Sequence, residues 1–359
     1  MTQFDLFSDD QHPEQEHPEQ SSLARLSSLT EIVTMKPQNN IVVPNTVEQC
    51  ESSSRRSFLA HSMLATAGSA ALLWSGPTGT ALLGAEAPQH KTKPRRLLKT
   101  LKVGMVKVEG DWTAKFKAVK AAGYDGIELD SPGIDVAAIR AASEASGLPV
   151  DGSVCSTHWK TTHTNADPQV RAQALADLQT ALKQTHAVGG HTVLLVVGVG
   201  KDGPEAEIWP RAVENIRQAI PLAAELGITI AIENVWNQFL YDHEGPNDQT
   251  ADKFIKFVDE FNSPFVGMQF DIGNHWKYGN PAEWIRALGT RIVKLDIKGF
   301  SRKKSAFVDI LDDDIDWADV RKALDDINFH GWVAAEVGGG DQQRLSTIAK
   351  QIDRALNIG

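Results

Sequence analysis

The strongest constraint on the fold is a regular alternation of short apolar runs and longer segments of helical periodicity, which begins at Leu101 and continues to the C-terminus. Each run is apolar enough to be buried on both faces. Buried strands that alternate with helices are typical of parallel sheets. The predicted strands are Leu101–Val106, Gly126–Leu129, Val150–Cys155, Thr192–Val197, Thr229–Glu233, Val266–Asp271, Ile292–Ile297 and Trp332–Glu336.

Amphipathic segments separate and follow these runs, and helix start and stop signals support them, including Asp135 before one segment and Gly147 after it. Eight strand and helix pairs over residues 97–359 predict an α/β fold, the (β/α)8 TIM barrel. A doubly wound open sheet is the alternative, but it would carry a glycine-rich phosphate-binding turn after its first strand. The predicted helices are Thr113–Ala122, Asp135–Ser146, Pro168–Val188, Glu205–Leu226, Thr250–Phe261, Pro281–Leu288, Trp317–Ile327 and Gln342–Leu356.

The charge balance excludes one class of partner. The chain has 36 Lys and Arg against 46 Asp and Glu, a net charge of −10. Binding to a nucleic-acid backbone requires a positive field, which this composition does not provide. We therefore expect no nucleic-acid partner, and the sequence gives no indication for or against an oligomer.

The first 87 residues differ from the rest of the chain. Residues 1–53 are rich in Gln, Ser, Glu and Pro, which predicts a disordered segment. Residues 54–87 place the pair Arg55-Arg56 directly before an apolar, charge-poor stretch, as in a twin-arginine export signal. This pattern predicts export through the twin-arginine machinery to the periplasm, or anchoring in the membrane if the signal is not cleaved. The alternative is a basic turn before a buried helix.

Acidic residues stand at or near the ends of four successive predicted strands. In a barrel of this kind the chemistry takes place where the strands end. Converging carboxylates are costly to bury unless a positive charge neutralises them, and a divalent cation would do so. The sequence therefore predicts a metal site formed by Glu233, Asp271, Asp296 and Glu336.

These motifs resemble the xylose isomerase-like barrels, a family that includes sugar and sugar-phosphate isomerases and epimerases. Ile-Glu-Asn at Glu233, Phe-Asp-Ile-Gly-Asn at Asp271 and Ala-Glu-Val at Glu336 match metal ligands of its tagatose 3-epimerase branch. The family's fourth ligand is a histidine on the seventh strand, where this chain has Asp296. The family's second histidine is replaced by Asn274. An all-carboxylate set favours Mn²⁺ or Mg²⁺ over zinc.

The resemblance and the loop composition also indicate residues that would touch a sugar. Glu128 and His158 follow the second and third predicted strands, as substrate contacts do in the family, although Glu128 could instead pair with a lysine near strand one. Tryptophans after strands can stack on sugar rings, while polar side chains bind the hydroxyl groups; some of these tryptophans could simply plug the barrel mouth. The remaining candidates for substrate binding are Trp112, Trp236, Asn234, His275 and Lys298.

The resemblance implies a metal-dependent isomerase or epimerase that forms an enediolate, with Glu233 and Glu336 as the pair that transfers the proton. A basic loop from Lys298 to Lys304 leaves a phosphorylated sugar as one option. Two alternatives stay open: a sugar lyase or dehydratase on the same site, and an exported sugar-binding barrel without turnover. A third function to consider is a zinc endonuclease. The endonuclease would need a histidine cluster and a basic groove, and the sequence has neither.

Overall fold

The computed structural model describes residues 96–358, and the predicted export signal and disordered segment lie outside them. Eight parallel strands form one sheet that closes almost completely into a barrel. They are β1 (Leu97–Leu101), β2 (Ile127–Ser131), β3 (Val150–Cys155), β4 (Thr192–Leu195), β5 (Thr229–Glu233), β6 (Val266–Asp271), β7 (Ile292–Ile297) and β10 (Gly331–Ala335). The (β/α)8 prediction is confirmed, and the open doubly wound alternative is wrong.

The barrel closes between its first two strands. β1 pairs in parallel with β10 along its whole length, from Leu97 opposite Gly331 to Leu101 opposite Ala335. On its other side, a single parallel bridge joins Lys102 to Glu128. This bridge completes the circle of strands.

The first strand was predicted at Leu101–Val106, and this prediction is wrong. β1 ends at Leu101, and residues Val103–Met105 form a 3-10 turn. The charged side chain of Lys99 interrupts the apolar run in the true strand, so the pattern is weakest where the strand lies. Its ladder with β10 supplies the stabilisation that the pattern does not reveal.

The helices pack outside the barrel and begin where the sequence signals indicate. They are α1 (Trp112–Ala121), α2 (Val136–Ser146), α3 (Pro168–Ala187), α4 (Glu205–Arg217), α5 (Ile220–Leu226), α6 (Asp252–Glu260), α7 (Ile272–Trp276), α8 (Pro281–Leu288), α9 (Trp317–Asp326) and α10 (Gln342–Leu356). Asp135 caps α2 through a hydrogen bond from the Ala138 N–H, and Gly147 ends that helix with a left-handed φ of 65°. The capping signals were therefore accurate.

One predicted helix is two helices in the structure. Glu205–Leu226 breaks after Arg217, and α5 begins at Ile220 with Pro221 in its first turn. Proline has no backbone N–H, and its ring would collide with the carbonyl group of Arg217, four residues earlier. A continuous helix is therefore disfavoured at this point.

A small antiparallel hairpin, β8 (Gly299–Ser301) and β9 (Ala306–Val308), follows β7 at the carboxyl end of the barrel. The alternation of strands and helices predicted neither this hairpin nor the short α7. Among the described residues, no helix is long and apolar enough to span a membrane.

Candidate metal centre

The four predicted metal ligands meet at the carboxyl end of the barrel. Each offers one carboxylate oxygen, and these oxygens lie within 4.8 Å of one another. Because parallel strands end at the same edge, acids at the ends of neighbouring strands converge. We call Glu233, Asp271, Asp296 and Glu336 the carboxylate ring.

Neighbouring backbone and side chains orient the ring. Asp271 is the N-cap of α7, and its Oδ1 accepts a hydrogen bond of 2.8 Å from the Asn274 N–H. The Asn274 Nδ2 lies 3.5 Å from Glu233 Oε1 and donates at 3.0 Å to the Asn234 carbonyl oxygen. Asn274, at the position of the family's second histidine, therefore contacts the ring through an amide.

Both oxygens of Asp296 have donors beside them. Lys102 Nζ lies 3.1 Å from Oδ2, and Gln269 Nε2 donates to Oδ1 at 2.9 Å. The same lysine lies 3.1 Å from Glu128 Oε2. Lys102 therefore places a positive charge next to the one ring position where the family has a neutral ligand.

Lys298 bridges two other members of the ring. Its Nζ lies 2.8 Å from Asp271 Oδ2 and 2.7 Å from Glu336 Oε2. Its side chain is only 2% exposed. The sequence predicted a substrate contact for Lys298, and the structure places its ammonium group on two candidate metal ligands.

One layer below the ring lies a second charged group, which we call the inner ion-pair cluster: Lys294, Glu128, Asp151 and Thr100. Lys294 precedes Asp296 by two residues and so points to the same interior side of the barrel. Its Nζ lies 2.6 Å from Glu128 Oε1 and also pairs with Asp151. Glu128 thus pairs with Lys294 and with Lys102, the structural alternative considered for it.

The pKa values reflect these surroundings. Burial raises the pKa of Glu233, and the nearby charges of Glu336 and Asp296 raise it further. Burial also raises the pKa of Asp296, to about 7, against the opposing effect of Lys102. Burial acts the same way on Glu336, but Lys298 and Lys102 outweigh it and the pKa is lowered. The two proposed proton-transfer groups are therefore shifted in opposite directions.

The donor set fits a divalent cation. Six carboxylates in the barrel interior, counting the ring with Glu128 and Asp151, face three lysines, Lys102, Lys294 and Lys298. With all groups ionised, the carboxylates exceed the lysines by three negative charges. Carboxylate oxygens are hard ligands, which suits Mn²⁺ or Mg²⁺. The ring could therefore hold such an ion.

Asn234 and His158, two of the buried residues that were predicted to contact substrate, form hydrogen bonds within the protein. Asn234 is fully buried; its Oδ1 accepts from the Asp271 N–H at 2.8 Å and its Nδ2 donates to the Asp271 carbonyl oxygen at 2.9 Å. His158 Nδ1 accepts a hydrogen bond of 3.2 Å from the Val196 N–H. Burial, aided by the charge of Lys102, lowers the pKa of His158 to about 3, so its imidazole is neutral.

Trp236 lies in an aromatic cluster with the hairpin. Its ring stacks on Phe307 with centroids 4.8 Å apart and meets Phe300 edge-on at 5.1 Å. The ammonium group of Lys298 lies over the Phe307 ring, with 5.3 Å from its Nζ to the ring centroid. The hairpin therefore lies beside the carboxylate ring. Trp112 is half-buried at the start of α1 and packs edge-on against Phe116.

His275 lies in an aromatic environment. Its ring centroid is 3.7 Å from that of Trp284, and its Nδ1 is 3.1 Å from the Tyr241 hydroxyl. The residue is fully buried. The side chain of His275 therefore packs among aromatic residues rather than on the carboxylate ring.

Sequence reasoning missed three residues that contact the ring or hold it, namely Lys102, Gln269 and Asn274. Strand periodicity could have found one of them, because Gln269 precedes Asp271 by two residues and points to the same face. By the same rule, the side chains of Lys294, Asp296 and Lys298 point to one face of their strand. For Lys102 the sequence suggested a pairing with Glu128, but no spacing indicated its contact with Asp296.

The fold agrees with a comparison against protein families. Residues 116–357 match the model of the xylose isomerase-like TIM barrel. This match covers most of the chain, so the protein belongs to that family.

Individual proteins and solved structures are also similar to this chain. An uncharacterised protein of Methanocaldococcus jannaschii is 25% identical over 134 residues, which are 36% of this chain and 44% of that relative. D-psicose 3-epimerase of Enterocloster bolteae is 25% identical over 249 residues, 63% of this chain and 78% of the enzyme. The crystal structure of a D-tagatose 3-epimerase-like protein superposes with a TM-score of 0.61 at 17% identity, over 73% of this chain and 97% of that one.

Proposed function

We propose that this protein is a divalent metal-dependent isomerase or epimerase of keto sugars, with Mn²⁺ or Mg²⁺ as the favoured ion. The observation that carries the proposal is the carboxylate ring, in which four strand ends bring four acidic oxygens within 4.8 Å. Membership of the xylose isomerase-like family supports it, as does the similarity to a D-psicose 3-epimerase.

In this proposal all four acids of the ring hold the ion. A bound divalent cation supplies the positive charge that stabilises an enediolate beside the sugar carbonyl. Glu233 and Glu336 do the proton transfer, one removing the carbon-bound proton and the other returning a proton to the opposite face. Their strands, β5 and β10, are three positions apart around the barrel, so the two carboxylates approach a central sugar from different sides.

The surrounding residues bind and enclose the sugar. Trp236 and the hairpin aromatics offer an apolar surface for the C–H face of a sugar ring. His158, Trp112 and Lys298 are the further substrate contacts of the proposal, whereas Glu128 stays in the inner ion-pair cluster, paired with Lys294 and Lys102. Asn234 and His275 act behind them, Asn234 by tying Asp271 to β5. Arg302 is an unsuitable phosphate ligand, because it stacks on Trp276 and donates to three backbone carbonyl groups.

Deuterium exchange tests this chemistry directly. The Mn²⁺-loaded protein is incubated in D₂O with a panel of ketoses that includes D-psicose and D-tagatose, their phosphates and 3-keto glycosides. Proton transfer through an enediolate places deuterium on the carbon beside the carbonyl, which NMR detects. Products that have lost a substituent would assign a lyase instead of an epimerase.

Glu336→Gln keeps the side-chain shape and removes the base, so exchange should fall by roughly a hundredfold to ten-thousandfold. Glu225→Gln, on the exposed side of α5, is the matched control and should exchange like the parent. Bound Mn²⁺ is measured in each variant, because Glu336 is also a proposed ligand. No deuterium uptake from any sugar, with Mn²⁺ bound, would refute the proposal and favour a binding protein.

A further inference from the structure

Lys298 makes an unusual contact for a residue beside a metal site. Its ammonium group lies 2.8 Å from Asp271 Oδ2 and 2.7 Å from Glu336 Oε2. These two acids are members of the carboxylate ring and stand on β6 and directly after β10. A positive charge of the chain itself therefore lies between two ligands that a divalent cation would use.

The fold holds Lys298 in this position. It follows Asp296 by two residues, so its side chain leaves the end of β7 on the interior side. Gly273 of α7 leaves the space it occupies, because a Cβ at that position would collide with the Lys298 side chain and carbonyl oxygen. Phe307 of the hairpin covers it, and only 2% of the side chain is exposed.

We infer that Lys298 is an internal cation that competes with the divalent ion for Asp271 and Glu336. This inference rests on the proposed function and concerns how that site is loaded. Asp271 Oδ1 already accepts from the Asn274 N–H, so its Oδ2 is the oxygen that both cations require. Binding of the ion moves the Lys298 ammonium group away from these oxygens and towards the sugar side of the ring.

Competition has two consequences. Without metal, Lys298 stabilises a ring whose four acids would otherwise repel one another at short range. With metal, its charge opposes the ion, so the ring binds divalent cations more weakly than its four carboxylates alone would. A lysine that merely orients two ligands would have the opposite effect, because its loss would leave those ligands misplaced and lower the affinity.

The sign of the affinity change therefore decides between the two roles. Isothermal titration with MnCl₂, after dialysis against a chelator, gives the dissociation constant for the parent, Lys298→Met and Lys298→Gln. We expect both variants to bind Mn²⁺ about tenfold more tightly or better, since removing a nearby positive charge is worth at least that much at such a distance. Melting temperatures in chelator should fall, and saturating Mn²⁺ should restore them.

Lys277→Met is the matched control. Its ammonium group lies over the Trp236 ring at 4.4 Å, near the same mouth but on an aromatic ring. Its removal should change the Mn²⁺ affinity by less than about threefold, because this charge lies on an aromatic ring rather than on the carboxylates and is more exposed to solvent than that of Lys298.

Each result supports or overturns a distinct statement. Tighter binding in the Lys298 variants, with the control unchanged, supports the competitor. If the Lys298 variants bind Mn²⁺ only as tightly as the parent, or more weakly, this inference is wrong and the metal-dependent function still stands. If neither the parent nor a folded Lys298 variant binds Mn²⁺, then both the inference and the metal-dependent function are wrong.

Discussion

The carboxylate ring and the inner ion-pair cluster are two layers of charge in the same barrel, and they differ in balance. In the inner cluster, Glu128 lies between Lys294 and Lys102, with contacts of 2.6 and 3.1 Å. These lysines outweigh burial and lower the pKa of Glu128 to about 2. In the ring, the pKa of Asp296 is raised to about 7 because burial and three other acids outweigh Lys102.

This difference separates a structural network from a binding site. Buried charges with close partners contribute to a single well-ordered arrangement and have no need of a ligand. Buried charges of one sign without enough partners are costly, and a cation would relieve that cost. The inner cluster is not perfectly balanced either, since Asp151 shares Lys294 with Glu128 and burial raises its pKa. The larger imbalance is nevertheless in the ring.

Removing Lys294 should break the inner cluster and cause the largest loss of stability. Lys294→Met leaves Glu128 and Asp151 buried with one cation fewer, which should cost about 3 to 5 kcal/mol of unfolding free energy. Urea unfolding measures the change. Lys322→Met, which removes an exposed pair with Asp326 on α9, is the control and should cost less than about 1 kcal/mol. Equal losses in the two variants would mean that the inner cluster is not structural.

Two isosteric substitutions, one in the carboxylate ring and one in the inner ion-pair cluster, should differ in their effect on the Mn²⁺ affinity. Asp296→Asn removes a charge from the ring and should weaken Mn²⁺ binding by roughly ten- to a hundredfold. Asp151→Asn removes the same charge one layer below and should change the affinity by less than about threefold. Titration calorimetry of both variants provides the measurement. If Asp296→Asn binds Mn²⁺ like the parent, then Asp296 is not a ligand and the ring holds the ion with three acids.

A buried neutral histidine outside both layers makes a smaller, pH-dependent contribution to the free energy of unfolding. Burial lowers the pKa of His163 to about 3, and its Nδ1 lies 2.8 Å from Asn215 Nδ2. The unfolded chain takes up a proton near pH 6.5 and the folded chain does not, so stability is complete above that pH and falls as the pH drops towards 3.

His163→Gln removes this titration while retaining a hydrogen-bond acceptor. Unfolding free energies at about pH 7 and about pH 5 should differ less in the variant than in the parent, by roughly 1 to 2 kcal/mol. The parent will still lose stability through His158, which titrates in the same direction. An identical pH dependence in parent and variant would show that His163 is accessible to protons in the folded state.

The sequence predicted the barrel well because its signals are local. Strand ends such as Glu233 and Asp271 follow mainly apolar runs, and caps such as Asp135 lie one residue from where their helices begin. The four acids of the ring could be named because parallel strands must end at the same edge. Spacing along the chain was sufficient for all of these.

The partners of the ring could not be predicted in the same way. Lys102 and Asp296 are far apart in the sequence, and their contact depends on β10, which pairs with β1 on one side and with β7 on the other. The position of Lys298 depends on a glycine in another loop, Gly273, which leaves room for it. Which lysine compensates which acid is a property of three-dimensional packing and has no periodic signature.

The amide of Asn234 has a consequence for how this barrel can change. It pairs with both the N–H and the carbonyl group of Asp271, as a further rung of the sheet would, just beyond the end of β5. The spacing between the acids of β5 and β6 is thereby set inside the barrel wall. The loops that follow these strands can lengthen, shorten or exchange their aromatic residues to suit another ligand, while Glu233 and Asp271 keep their separation.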